Sequence, residues 1–185
     1  PVDPNFPHTT PEEVVEQAAC YDTENIPNKS QQTTILDSLH PDFQPYVKLF
    51  ICKCWEQGIS IQLNSGYRDQ SHQMQLYNAW VAGGEVGPAP SSGLSYHNFG
   101  MAFDFNPTLA NGTVLTSRTS KNAWLDSGIV NIGKNIGLYW GGDFSTNYDP
   151  IHWDFRSAGV GYDQRQAFAD SALAAGNAPN RHPIG

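Results

Sequence analysis

Two short stretches of this chain carry residues with chemistry to offer. The first holds Ser95, His97, Gly100, Ala102 and Asp104; the second holds Asp149 and His152. Two histidines and two carboxylates, interspersed with glycine and small residues, fit a three-ligand zinc site with its own general base. Catalytic zinc takes three protein ligands from His, Asp or Glu and keeps a fourth position for water. Water so placed is acidified toward neutral pH and becomes a nucleophile. These residue types therefore point to a zinc hydrolase with His97, Asp104 and His152 as metal ligands.

Each of these residues has a plainer reading when taken alone. His97 could be a hydrogen-bonded loop histidine, and Asp104 a buried salt bridge. Yet Asp104 lies between Phe103 and Phe105, and an Asp in an apolar strand is costly to bury unless it is paired or metal-bound. Gly100 permits close backbone approach, and Ala102 is small enough to sit beside a metal. Asp149 falls on the turn leading to His152, stiffened by Pro150, and could serve as general base without ligating the metal. Asp154 is a rival: it alternates onto the same strand face as His152 and could be the base or the hydrogen-bond partner of a histidine. Arg68, at the end of a strand, could hold a substrate carboxylate or an oxyanion, or simply pair with Asp69 or another acid. Gln73, one turn into the next helix, could hydrogen-bond substrate or be a solvated helix residue. His72 has no partner at ligand spacing and reads as a surface or second-layer residue. His8, His40 and His182 fall in loops or tails. Ser95 lacks the Gly-x-Ser-x-Gly elbow of a serine hydrolase.

These residues need elements to position them. Thr10, Pro11, Glu12 and Glu13 form a helix start that should run to about Cys20. Residues 21–34 are polar and read as loop. A helix over 41–58 places Val47, Phe50, Ile51, Cys54 and Trp55 toward the core at helical spacing. Residues 59–63 alternate as a half-buried strand. Asp69 can cap a helix over 70–82, and 83–95 form a long loop rich in Gly, Pro and Ser, bordering a cleft. A second strand spans 100–106, with Ala102 and Asp104 on one face and Phe103 and Phe105 on the other. Residues 119–136 look helical, 138–140 and 151–155 are short strands about the Gly141-Gly142 turn, and 162–175 is a final helix. Helices mixed with short strands, without βαβ alternation, predict an α+β fold with a small antiparallel sheet and flanking helices.

Bulk composition narrows the function. A chain of 185 residues with 39% hydrophobic side chains can bury a single core. The formal charge is −8 and the Lys and Arg residues do not cluster, which disfavours nucleic acid and anionic membrane surfaces as partners. No stretch approaches the roughly 18 apolar residues of a membrane span, so membrane insertion is not expected. Cys52 and Cys54 lack the spacing of a zinc knuckle; in an exported protein the cysteines leave two readings open, one disulfide from Cys20 to Cys52 or to Cys54, or buried free thiols acting as small hydrophobes.

The order Ser65-Gly66-Tyr67-Arg68, Gln73, Ser95-x-His97-x-x-Gly100-x-Ala102-x-Asp104, Trp140-Gly141-Gly142 and Asp149-x-x-His152 resembles the M15 metallopeptidases. These comprise zinc D-alanyl-D-alanine carboxypeptidases and dipeptidases, together with L-alanyl-D-glutamate endopeptidases found among phage endolysins. The resemblance runs from about 36 to 156. It implies a Hedgehog/DD-peptidase-like zinc fold, with His97, Asp104 and His152 on Zn2+, Asp149 as base and Arg68 as clamp on the scissile carbonyl. Gln73, Ser95 and Tyr96 would meet substrate. Asp rather than Glu at the base position, with the Trp-Gly-Gly segment, is closer to the endolysin-type endopeptidases. Ile151, Trp153, His72 and a longer loop before His97 depart from the common pattern.

The expected organisation is one domain overall: a 1–35 extension with a short helix, a 36–160 zinc peptidase core, and a 161–185 helix and tail. The expected function is hydrolysis of a peptidoglycan stem-peptide bond, L-Ala–D-Glu, by a monomer acting on the cell wall from the periplasm or outside the cell. A D-alanyl-D-alanine carboxypeptidase is the alternative, and an inactive zinc-containing binding domain the second.

Overall fold

The computed structural model describes residues 9–86, 89–90 and 95–156. The expected final helix over 162–175 lies outside the described residues, as do His8 and His182. Helix α1 (Pro11–Gln17) opens with a reciprocal cap: the Thr10 hydroxyl accepts from the Glu13 N–H, and the Glu13 carboxylate accepts from the Thr10 N–H. A short α2 (Cys20–Thr23) follows, then α3 (Lys29–Ser38) and α4 (Gln44–Glu56), whose first turn carries Pro45. Strand β1 (Ser60–Ser65) leads to α5 (Gln70–Val81), capped by the Asp69 carboxylate on the His72 N–H. After β2 (Ala102–Thr108) come α6 (Lys121–Asp126), α7 (Ile129–Ile136), β3 (Tyr139–Trp140) and β4 (His152–Asp154).

The four strands make one antiparallel sheet in the order β1-β2-β4-β3. Register fixes which residues share a face. Ala102 lies opposite Asp154, Phe103 opposite Trp153, and Asp104 opposite His152. Residues directly opposite point the same way. Phe103, Phe105 and Trp153 thus turn to the core, where they meet Phe50 of α4 at centroid distances of 5.6, 5.2 and 5.4 Å. Val47, Phe50, Ile51 and Cys54 are buried on α4 as the helical spacing requires, and Trp55 is half-buried.

Two expectations are corrected. Residues 21–34 are not a loop: α2 and α3 occupy most of that span. Helix α3 is polar because it covers a sheet edge. Its Gln32 is fully buried, accepting from the Tyr21 hydroxyl at 2.8 Å and donating to the Ile61 carbonyl at 2.7 Å. Gln31 donates to the Leu63 carbonyl at 2.6 Å, and Asn28 to that of Ile61 at 3.3 Å. β1 lies at the sheet edge, and side-chain amides satisfy carbonyls that would otherwise be open to pairing. The second correction is over 119–136, where Gly128 at φ +82° splits the expected helix into α6 and α7.

Gly133, inside α7, touches the core ring of β4. A Cβ there would stand 2.1 Å from Trp153 Cζ3. Ala is worth about 1 kcal/mol over Gly in a helix interior. Overpacking costs about 1–3 kcal/mol, and Trp153 is hemmed in by Phe50, Phe105 and Trp140. The steric term wins, so Gly133→Ala is expected to lower the melting temperature by several degrees; an unchanged or raised value in a thermal melt would show that the indole can repack.

Of the two disulfides the sequence left open, Cys20–Cys52 forms, joining α2 to α4, and Cys54 stays a buried thiol whose ionisation burial suppresses. The bridge closes a loop of 32 residues, for which chain entropy gives about 3–4 kcal/mol. Denaturant unfolding of Cys20→Ser is expected to show a loss of that order with a larger m-value, because the unlinked denatured chain exposes more surface.

Candidate active site

The face of β2 and β4 turned away from the core presents Ala102 and Asp104 beside Asp154 and His152. His97 arrives from a 3-10 turn, Tyr96–Phe99, immediately before β2. The Ser95 hydroxyl caps that turn by accepting from the His97 N–H, and Asn98 closes it by accepting from the Ser95 N–H. Gly100 ends the turn at φ +69°, where a Cβ would stand 2.7 Å from the His40 nitrogen. A second set of bonds ties the turn to the end of β1. The Arg68 N–H donates to the His97 carbonyl at 3.0 Å, and Asn98 donates to the Arg68 carbonyl at 2.8 Å.

Three donors converge here. His97 Nε2, Asp104 Oδ1 and His152 Nδ1 stand 3.2 Å apart on all three sides. Ligands 2.0–2.1 Å from one tetrahedral ion are about 3.3 Å apart, so the triangle has the dimensions of a zinc face. Each histidine has its other nitrogen occupied. His97 Nδ1–H donates to the Gly66 carbonyl at 2.7 Å, and His152 Nε2–H to Asp154 Oδ2 at 3.0 Å. Those acceptors leave His97 Nε2 and His152 Nδ1 as lone pairs aimed at the shared point. A donor set of two imidazoles and one carboxylate suits zinc.

The electrostatics also favour a cation. Burial opposes charge on Asp104, but His97 and His152 override it and hold the carboxyl well below the usual range. Burial pushes His97 down. Burial opposes a charge on His152 too, yet its bonds to Asp104 and Asp154 raise it to about 10. The two carboxylates thus demand positive charge at His152 Nδ1, and a divalent ion meets that demand using all three lone pairs at once.

Asp149 is half-buried in the loop between the Gly141–Asp143 3-10 turn and β4. Its N–H donates to the Gly141 carbonyl, and its own carbonyl accepts from the His152 N–H, each at 3.2 Å. Burial, then the charge of Asp104, raises its carboxyl to about 6, against the opposing pull of His152 and Arg68. Asp154 is fully buried and engaged by His152, which places it behind that ring and away from the three converging donors.

Arg68 reaches the same cluster. Its guanidinium donates to Gln73 Oε1 at 2.9 Å, to Ser65 Oγ at 3.0 Å and to Asp104 Oδ2 at 3.4 Å. Its acid partner is Asp104, since Asp69 is used in capping α5. Gln73 is not solvated: it is fully buried, and its amide nitrogen donates to the Pro90 carbonyl at 2.7 Å. Ser95 and Tyr96 are both buried, Ser95 in the cap and Tyr96 packed with Phe99, Met101 and Ala102. His72 is exposed on α5. Sequence reasoning missed Asn98 and Arg156. Arg156 grips Asp154 through Nε at 2.9 Å and Nη2 at 2.7 Å. An Arg two residues beyond a strand Asp was the only available signal.

A small antiparallel sheet carrying a His, Asp, His triangle, with a raised carboxyl and an Arg at its margin, defines a zinc metallopeptidase. Residues 89–155, about a third of the chain, match the model of the M15 family described as D-alanyl-D-alanine carboxypeptidase. It is 27% identical over 132 residues to the peptidoglycan L-alanyl-D-glutamate endopeptidase CwlK of Bacillus subtilis, covering 68% of this chain and 78% of CwlK. Among solved structures, the L-Ala D-Glu endopeptidase ChiX of Serratia marcescens aligns with a TM-score of 0.49 at 20% identity, over 75% of this chain and 98% of that one. The vancomycin resistance D,D-pentapeptidase VanY, from a VanB-type cassette and in complex with Zn(II), aligns with a TM-score of 0.48 at 16% identity, over 75% and 80%. Among the described residues, no helix is long and apolar enough to cross a membrane.

Proposed function

We propose that this chain hydrolyses the L-Ala–D-Glu bond of the peptidoglycan stem peptide, with His97, Asp104 and His152 holding zinc, Asp149 as general base and Arg68 as oxyanion clamp. The observation that carries the chemistry is the 3.2 Å donor triangle, with the Asp149 carboxyl raised to about 6 beside it. The substrate rests on the likeness to CwlK and on Asp at the base position.

Held by His97, Asp104 and His152, zinc would supply Lewis acidity for activating a water and polarising a carbonyl. Asp149 takes the proton of the attacking water and passes it to the leaving amine. Arg68 meets the negative charge that grows on the carbonyl oxygen. Ser65 and Gln73 hold its guanidinium in place, so Gln73 acts on substrate through Arg68. Ser95 acts by fixing the turn that carries His97. A carboxypeptidase also needs a cation to grip a terminal carboxylate; among the described residues Arg156 is taken up by Asp154 and Arg68 by the oxyanion, which favours cleavage within the stem. The substrate places the enzyme at the cell wall.

The test is digestion of purified peptidoglycan with and without a chelator, with the new ends identified by mass spectrometry. Chelator-sensitive release of a D-Glu amine is expected. Loss of a terminal D-Ala alone would move the activity to the carboxypeptidase branch. No cleavage of several wall types by zinc-loaded protein would leave a binding domain.

A further inference from the structure

Asp154 is fully buried, and its carboxylate is surrounded by donors. One oxygen accepts from His152 Nε2–H at 3.0 Å and from Arg156 Nη2 at 2.7 Å; the other accepts from Arg156 Nε at 2.9 Å and from the Arg156 N–H at 3.1 Å. Three of these four bonds come from one residue. The guanidinium is itself held by rings. Its central carbon lies 3.7 Å from the Tyr139 centroid, 5.1 Å from that of Tyr96 and 5.4 Å from that of Phe144. Tyr139 pairs across the β3–β4 ladder with Asp154, Tyr96 belongs to the turn that carries His97, and Phe144 lies 5.6 Å from the His152 ring.

We propose that Arg156 is a positioning residue for the metal centre: by gripping both oxygens of Asp154, it fixes the carboxylate that receives the His152 Nε2–H and so aims His152 Nδ1 at the cation. This rests on the reading of His152 as a zinc ligand. A carboxylate bonded only to a histidine can turn about its terminal torsion and carry the imidazole with it. A planar fork bound to both oxygens removes that freedom. A lysine would supply the charge and a single point contact, but no fork.

The test compares Arg156→Gln and Arg156→Lys with the unaltered chain. Zinc affinity is read by competition with a chromophoric chelator, geometry by the visible spectrum of the cobalt-substituted protein, and folding by the thermal melt of the metal-free protein. Arg156→Gln is expected to weaken zinc about ten- to a hundredfold, the range for loss of an outer partner of a metal-bound histidine, and to alter the cobalt spectrum. Arg156→Lys is expected to recover only part of the affinity, and it carries the test alone should the glutamine variant not fold. Zinc affinity and a cobalt spectrum like those of the unaltered chain, in either folded variant, would overturn the proposal even if the melting temperature had dropped. His152→Ala separates the two readings: undiminished zinc binding by that variant would sink the ligand assignment itself.

Discussion

Asp149→Asn is expected to cut hydrolysis by about 10²–10⁴-fold and leave zinc bound, because a general base contributes roughly that much to the rate and its carboxyl is no part of the donor triangle. Asn keeps the size and the backbone contacts to Gly141 and His152 but cannot accept the proton. The unaltered enzyme should show the matching pH dependence. A carboxylate base works only when ionised, so with Asp149 in the proposed role activity should rise with pH through the value of its carboxyl. Burial and Asp104 raise that value to about 6. A divalent ion at the three donors adds positive charge and pulls it down again, so the acid limb should fall at or below about 6. Stem-peptide release followed from pH 4 to 8, with zinc content measured in parallel, checks both expectations. A variant that loses zinc together with activity would make Asp149 a structural residue.

Asp104→Ala is expected to act on the metal itself. It removes one of three donors and the only anionic one, so purified protein should carry little zinc and hydrolysis should fall by more than about 10⁴-fold. It also strips Arg68 of its acid partner in a largely buried place, and breaking such a pair costs about 3–5 kcal/mol. The metal-free variant should therefore melt below metal-free unaltered protein. Zinc content by elemental analysis and a melt of both apo forms test this. Full zinc occupancy in a folded Asp104→Ala protein would contradict the donor set.

The convergence of three donors was legible because metal chemistry restricts residue type and strand geometry restricts direction. His97, Asp104 and His152 could be read from short motifs, and alternation along β2 and β4 put them on a common face. The choice between Asp149 and Asp154 was not so restricted. Both are acids within three residues of His152, and only the side-chain network separates an acid bonded to the His152 ring from one beside the donors. Arg156 and Asn98 act through contacts made in three dimensions, to Asp154 and to the Arg68 carbonyl, which no spacing announces. The fold shows the same division. The helices α1, α4 and α5 declare themselves through caps and apolar spacing. Helix α3 does not, since its Asn28, Gln31 and Gln32 are there to bond β1, and polar residues doing that work look the same in sequence as residues facing water.

The N-terminal helices have a practical bearing on engineering. Val14, Ala18, Tyr21 and Ile26 belong to the same buried cluster as Phe50, Phe103 and Trp153, and Cys20 is bonded to Cys52. The motifs of the catalytic half begin only at Ser65, which invites a minimal version cut near residue 36 for fusion to a foreign wall-targeting module. Such a truncation would strip apolar surface from α4 and cut away one half of its covalent tether. It would also remove Asn28, Gln31 and Gln32 from β1, baring a sheet edge to other copies. A transplantable cutter made from this chain should begin no later than the Thr10 cap, and fusion partners are better joined ahead of it.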